Sequence, residues 1–166
     1  MAEAKGPVFL VGFMGAGKTT TGKALARLLG WDFLDLDELI VAAERRSIAQ
    51  IFQQDGEAHF RRVETEILAG LRVRPRLVVA CGGGTYAWEA SRALIDRIGR
   101  AVWIQVPLRE ALARCDSGPA RPLLKDEDQA EGLYLARLPA YRSAPLCVEA
   151  EGLSPEEIAE RVAALL

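Results

Sequence analysis

The segment Gly12-Phe13-Met14-Gly15-Ala16-Gly17-Lys18-Thr19 constrains this chain more than any other. It fits GxxxxGK followed by Ser or Thr at every fixed position. The apolar, partly β-branched run Val8-Phe9-Leu10-Val11 precedes it and reads as a buried strand. A helical pattern from Lys18 to Leu29 follows, with Ala24, Leu25, Leu28 and Leu29 on one face and Gly30 as its stop. In that setting backbone N–H groups turn inward around a phosphate, and the helix adds its positive dipole end. Lys18 then reaches the β- and γ-phosphates, and the Thr19 hydroxyl suits Mg²⁺. Gly15, Ala16, Gly17, Lys18, Thr19 and Thr20 are the candidate nucleotide contacts. The loop implies a nucleoside triphosphate and magnesium and leaves the phosphate acceptor open.

Strand and helix patterns alternate through the rest of the chain. Phe33 to Asp37 reads as a second strand ending in acid, and Glu38 to Arg45 as a helix. Ser47 caps a short helix through Phe52 that Asp55-Gly56 ends. A longer helix, Glu57 to Leu71, carries Phe60, Val63, Ile67 and Leu71 on its apolar stripe. Leu77 to Ala80 is a strand, Glu89 to Ile98 a helix, Ala101 to Val106 a strand and Leu108 to Cys115 a helix. Ala130 to Pro139 is helical, Leu146 to Glu149 is a last strand, and Ser154-Pro155-Glu156-Glu157 opens a final helix. This order predicts βαβ units, hence a five-stranded parallel sheet covered by helices in an α/β fold. No linker separates two domains, so residues 1–166 are expected to form one. The polar stretch 116–129, with Gly118, Pro119 and Pro122, is longer than an ordinary connection and reads as a mobile functional loop.

Composition narrows the function classes. With 21 Lys plus Arg against 23 Asp plus Glu, the net charge of −2 argues against a nucleic-acid binder. Half of the residues are hydrophobic, enough for a real core. No run of 18 uncharged apolar residues exists, and Met1 to Pro7 has no basic n-region or apolar h-region. Cys81, Cys115 and Cys147 form no CxxC and read as reduced thiols, so a cytoplasmic location is expected. Arg outnumbers Lys 17 to 4, which genome composition, heat tolerance or anion binding can each produce.

Three further constellations bear on the acceptor. Asp35 and Asp37, two apart at a strand's end, can face the same side at the sheet edge where ligands bind. They read either as site acids or as turn acids and a helix cap. Arg61 and Glu64 in Phe60-Arg61-Arg62-Val63-Glu64 are i,i+3 neighbours, either an ordinary ion pair or a guanidinium held toward an anion. Gly82-Gly83-Gly84 makes sense where a ligand approaches backbone closely or the chain turns sharply. His59 reads as partly exposed, Trp31, Trp88 and Trp103 as packing, and Cys115 and Cys147 as structural.

Taken together, GFMGAGKT, LDLD, FRRVE, CGGGTY, ARPLL and ARLPAYR, in this order and spacing, resemble the shikimate kinases over essentially the whole chain. The resemblance implies a P-loop fold of the nucleoside monophosphate kinase type, with strand order 2-3-1-4-5. It implies transfer of the ATP γ-phosphate to the 3-hydroxyl of shikimate on the way to chorismate and the aromatic amino acids. It gives Lys18, Asp37 and Arg121 as catalytic residues. Thr19 and Asp35 become the metal residues, Asp35 acting through water. Asp37 meets the ring hydroxyls and is the candidate base, while Arg61 and Arg137 hold the carboxylate. Gly82, Gly83 and Gly84 face the substrate, and Phe52 and Phe60 pack near its ring. Arg121 belongs to the lid, about 116–129, and Arg114 and Pro155 fit the adenine side. The substrate-binding segment is about 36–64, and a monomer is expected. Two departures are small: Thr19 stands where serine is frequent, and Cys81 where threonine is. A gluconate or nucleotide kinase, and a nucleotide switch without a small acceptor, are the rival readings.

Overall fold

The computed structural model describes residues 6–115 and 127–166. Its elements run β1 (Val8–Val11), α1 (Lys18–Leu29), β2 (Asp32–Asp35), α2 (Leu36–Glu44) and α3 (Ile48–Gly70), with a 3₁₀ turn at Leu71–Val73. They continue with β3 (Leu77–Ala80), α4 (Glu89–Ile98), β4 (Arg100–Gln105), α5 (Leu108–Cys115), α6 (Glu127–Arg142), β5 (Leu146–Glu149) and α7 (Pro155–Leu165). The strands form one sheet in the order β2-β3-β1-β4-β5. Every pair is parallel, with Leu10 opposite Ala80 on one side and Val102 on the other.

Burial follows strand position. All four residues of β1 and of β3 are buried, whereas the edge strands β2 and β5 are mostly half-buried or exposed. That is why the central strands read as unbroken apolar runs. Phe9, Leu10, Leu25, Leu77, Ile95 and Ile104 are sealed in the core. Each such side chain contributes about 1.5–3 kcal/mol through burial. Helices α1 and α7 pack together, as do α3 and α4. The chain winds from β1 to one side, through β2 and β3, and then to the other. The carboxyl end of β1 is therefore the switch point, and a crevice opens there.

The structure and the sequence reading differ most at four places, with shifts of one or two residues at other element ends. The second strand stops at Asp35 rather than Asp37, because the Asp35 carboxylate accepts from the Glu38 N–H at 3.2 Å and starts a helix. Asp37 thus lies in the first turn of α2 and not at the strand end. The helices on either side of Gly56 join as α3, with a kink where Gly56 takes φ 83° and ψ 174°. The fourth strand spans Arg100–Gln105, one residue earlier than expected. The helix α6 begins at Glu127 and runs past Pro139 to Arg142, so the last three residues of the expected lid are helical. The rest of that stretch, with Arg121, lies outside the described residues.

The corner between α2 and α3 is tied by charge. Arg46 donates to Glu44 at 2.9 Å, to Gln54 at 2.7 Å and to Asp55. His59, partly exposed as expected, lies 2.9 Å from Glu44. Among the described residues no helix is long and apolar enough to cross a membrane.

Candidate active site

The glycine loop leaves β1 and enters α1, and within it the Ala16 N–H donates to the Phe13 carbonyl at 3.2 Å. Gly12 takes φ 143°, and a Cβ there would stand 2.8 Å from the Ile104 carbonyl, so only glycine fits. Helices α3 and α7 both start with a side-chain capping box. Helix α1 has no side-chain cap and no acid in its first turn. An N-terminus of that kind is suited to an anion. Lys18 is buried and folds over the loop, donating to the Gly12 carbonyl at 2.5 Å and the Phe13 carbonyl at 2.9 Å. The Thr20 hydroxyl donates to the Gly17 carbonyl at 3.1 Å, and the Arg114 guanidinium to the Gly15 carbonyl at 3.4 Å. A cavity of about 210 Å³ beside the loop is lined by Gly17, Thr20, Thr21, Arg114, Leu153, Pro155 and Ile158. Arg114 and Pro155, 41 positions apart in sequence, therefore share one cavity with the phosphate loop.

Thr19 donates its hydroxyl to Asp35 Oδ2 at 2.8 Å. A hydroxyl and a carboxylate are hard oxygen donors, the set that Mg²⁺ takes together with phosphate oxygens. The pair fits such an ion. The third strand ends at Ala80 and offers no acid of its own.

The acceptor side is built around the triple glycine. None of Gly82, Gly83 and Gly84 takes a positive φ, so close approach, not a sharp turn, accounts for them. A Cβ on Gly82 would stand 2.9 Å from Asp37 Oδ1, and one on Gly83 3.2 Å from Arg137 Nη1. On Gly84 it would overlap Arg61 Nη2 and stand 2.9 Å from Arg137 Nη2. Asp37 from α2, Arg61 from α3 and Arg137 from α6 thus converge on one turn.

Both arginines are buried, at 5% and 7% exposure. Arg61 Nη1 donates to Glu64 Oε1 at 2.9 Å, and Arg61 Nη2 to Glu57 Oε1 at 3.4 Å. Glu64 is fully buried, and it also accepts from the Thr85 hydroxyl at 2.8 Å and the Ser91 hydroxyl at 3.4 Å. The pair is therefore an internal strut and not a surface ion pair. Burial pulls the Arg137 guanidinium below its usual range, and the like charge of Arg61 adds to this. Two buried guanidinium donors, Arg61 Nε and Arg137 Nη1, have no hydrogen-bond partner among the described residues. Two adjacent cations with orphaned N–H groups offer a donor set of the kind that suits a carboxylate. Phe52 and Phe60 stack at 4.9 Å between ring centroids, and the Arg61 guanidinium lies 5.0 Å from the Phe60 ring.

Some residues of this site were not singled out from sequence. Tyr141, fully buried, donates its hydroxyl to the Gly83 carbonyl at 2.5 Å. Its four-residue spacing from Arg137 on a helix was the available signal. Thr85 and Ser91 carried none, since only the fold brings them to Glu64. Trp88, expected as packing, is 40% exposed and stands over Arg61. Cys147 is exposed rather than structural, while burial pushes the Cys81 thiol well up and keeps it neutral. Trp103 is buried, as expected.

Comparison with known proteins gives a consistent result. The shikimate kinase family model matches residues 14–166. The shikimate kinase of Ruegeria pomeroyi is 42% identical over 163 residues, covering 96% of this chain and 84% of that protein. The crystal structure of shikimate kinase from Aquifex aeolicus superposes with a TM-score of 0.83 at 33% identity, covering 96% and 94% of the two chains. The structure of the Acinetobacter baumannii shikimate kinase in complex with shikimate gives a TM-score of 0.90 at 36% identity, covering 98% and 93%. A match that runs from the phosphate loop to the last residue, on a fold with the same strand order that the motifs implied, leaves one assignment: the chain belongs to the shikimate kinase family.

Proposed function

We propose that this enzyme transfers the ATP γ-phosphate to the 3-hydroxyl of shikimate, giving shikimate 3-phosphate and ADP for aromatic amino acid biosynthesis. The observation that carries the reading is the convergence of two buried, like-charged arginines on the glycine turn beside the phosphate loop. A small acceptor with one carboxylate and several hydroxyls matches that receptor.

Phosphoryl transfer asks mainly for positioning and charge neutralisation. Arg61 and Arg137 fix the carboxylate through their planar forks. The glycine turn lets the ring lie against backbone, with Phe52 and Phe60 nearby. Asp37 orients the 3-hydroxyl and takes its proton. Lys18 leaves its loop carbonyls for the β- and γ-phosphate oxygens as charge develops there. The loop N–H groups of Gly15, Ala16 and Gly17 cradle the phosphates, Thr20 lies beside them, and Arg114 and Pro155 flank the adenine. Thr19, and Asp35 through water, would hold Mg²⁺, which would supply neutralisation of the phosphate charge. Arg121 closes over the phosphates from the 116–129 lid and excludes water as a competing acceptor. The same reading has the enzyme working as a monomer in the cytoplasm, without nucleic-acid or membrane partners.

The test is ADP release, measured with shikimate, gluconate and AMP offered separately as acceptors. Shikimate alone should support turnover. Turnover with gluconate or AMP would reassign the acceptor, and ATP hydrolysis indifferent to all three would point to a nucleotide switch.

A further inference from the structure

The Arg61 guanidinium is held on its edges by Glu64 and Glu57, at 2.9 and 3.4 Å. Its guanidinium carbon also lies over two rings, 5.0 Å from the Phe60 centroid and 5.8 Å from that of the Trp88 indole. Trp88 is not a core residue. It is 40% exposed, one of the few large apolar side chains at the surface of the described residues. Its backbone is nonetheless fixed, with its N–H donating to the Gly84 carbonyl at 3.1 Å and the Thr85 carbonyl at 3.3 Å. The turn that strips Gly84 of a side chain so that Arg61 can approach also sets an indole against the same cation. Trp88 precedes α4 and offers that helix no side-chain cap, so local helix chemistry does not account for a tryptophan here.

We propose that Trp88 is a positioning residue for acceptor binding, its indole holding the Arg61 guanidinium in the plane that meets the substrate carboxylate. The proposal rests on the shikimate reading of the site. Arg61 sits next to Arg137, a like charge, against the same glycine. An indole quadrupole offsets that repulsion without competing for the N–H groups the substrate needs. A carboxylate in that position would instead neutralise the receptor.

The experiment compares Trp88→Leu and Trp88→Phe with the unchanged enzyme by steady-state kinetics in both substrates. Leucine keeps apolar bulk and removes the ring. Loss of a partly exposed cation–π contact should raise the shikimate KM about three- to tenfold. The ATP KM and kcat should move far less, and Trp88→Phe should recover most of the loss. Binding of shikimate should also change the tryptophan emission of the unchanged enzyme, and most of that change should vanish in Trp88→Phe, although Trp31 and Trp103 remain. An unchanged shikimate KM in Trp88→Leu overturns the proposal, and so does equal damage from Leu and Phe. If Trp88→Leu does not fold, the emission arm decides: no shikimate-linked loss of signal in Trp88→Phe overturns it. Failure of the unchanged enzyme to phosphorylate shikimate would instead sink the functional reading beneath it.

Discussion

Tyr141 donates its hydroxyl to the Gly83 carbonyl at 2.5 Å, which fastens the helix carrying Arg137 to the turn that Arg137 faces. The ring itself stacks on Trp103 at 6.0 Å between centroids. Tyr141→Phe keeps the stack and removes the hydroxyl, leaving a half-buried carbonyl without its donor, at about 1 kcal/mol of stability. We expect the shikimate KM to rise about threefold to tenfold, in line with the loss of one neutral hydrogen bond behind the receptor. The ATP KM should stay level. Burial pushes the Tyr141 phenol from 10.0 up to about 12. Its contribution to stability is therefore complete below pH 10 and is lost as pH rises from 10 to about 12, where the unfolded phenol ionises first. Alkaline unfolding of Tyr141→Phe, followed by circular dichroism, should lack that component.

The two arginines should differ in what their loss does to the fold. Either Ala variant should weaken shikimate binding about tenfold to a hundredfold, the worth of one charge-assisted arm. Arg61→Ala additionally strands Glu64, which is fully buried, at about 3–5 kcal/mol. Among the described residues no carboxylate forms an ion pair with Arg137, so Arg137→Ala should melt close to the unchanged enzyme. Calorimetric melting beside shikimate titration separates the two effects. Equal melting temperatures would mean that Glu64 does not depend on Arg61.

Glu64→Gln probes the strut from its other end. Gln keeps a carbonyl for Arg61 and loses the charge, while Thr85 and Ser91 still find a partner. Shikimate binding should weaken less than in Arg61→Ala. In a double-mutant cycle the two changes should be non-additive, and strict additivity would show that the residues act independently.

Lys18→Ala should cost about a hundredfold to a thousandfold in kcat, the usual toll of removing a preorganised donor from developing charge. The buried amine also serves the Gly12 and Phe13 carbonyls, so a modest fall in melting temperature is expected alongside. A folded variant with near-normal kcat would refute the role.

Asp35 has two oxygens with two tasks: one accepts from Thr19, the other caps α2. Asn caps as well as Asp does, so Asp35→Asn should spare stability. It should nevertheless raise the Mg²⁺ concentration for half-maximal turnover about tenfold, as changes around a metal's ligands do. Chelation with EDTA should abolish ADP release in either protein.

Much of this architecture was legible because its signals are local. The glycine loop carries its own flanking strand and helix, and Ser47 and Ser154 announce their helices with capping boxes that the structure contains. Asp37 shows the limit. The LDLD pattern has the period of a strand, yet the Asp35 carboxylate captures a backbone N–H and converts the next residue to helix. Gly56 shows another: an Asp-Gly stop can bend a helix rather than end it. The partners of Glu64 come from α3, the glycine turn and α4, so no window of sequence contains the network. Trp88 misled for the related reason that an indole is ordinarily core, and only the position of Arg61 explains its exposure.

The placement of β1 at the centre of the sheet sets a schedule for biosynthesis. Its partners are β3 and β4, paired at Val8 opposite Val78 and Val8 opposite Arg100. No hairpin is available, because every strand pair is parallel and must wait for a crossover. When the phosphate loop leaves the ribosome, neither sheet partner of β1 has yet been made. The first strand stays a lone apolar segment until β3 arrives, and it is enclosed only once Gln105 has left the exit tunnel. Such distant pairings are slow to form. ATP cannot act as an early template for this chain, and a nascent polypeptide stalled before β4 would expose Val8–Val11 to any chaperone or neighbour that binds unpaired strands.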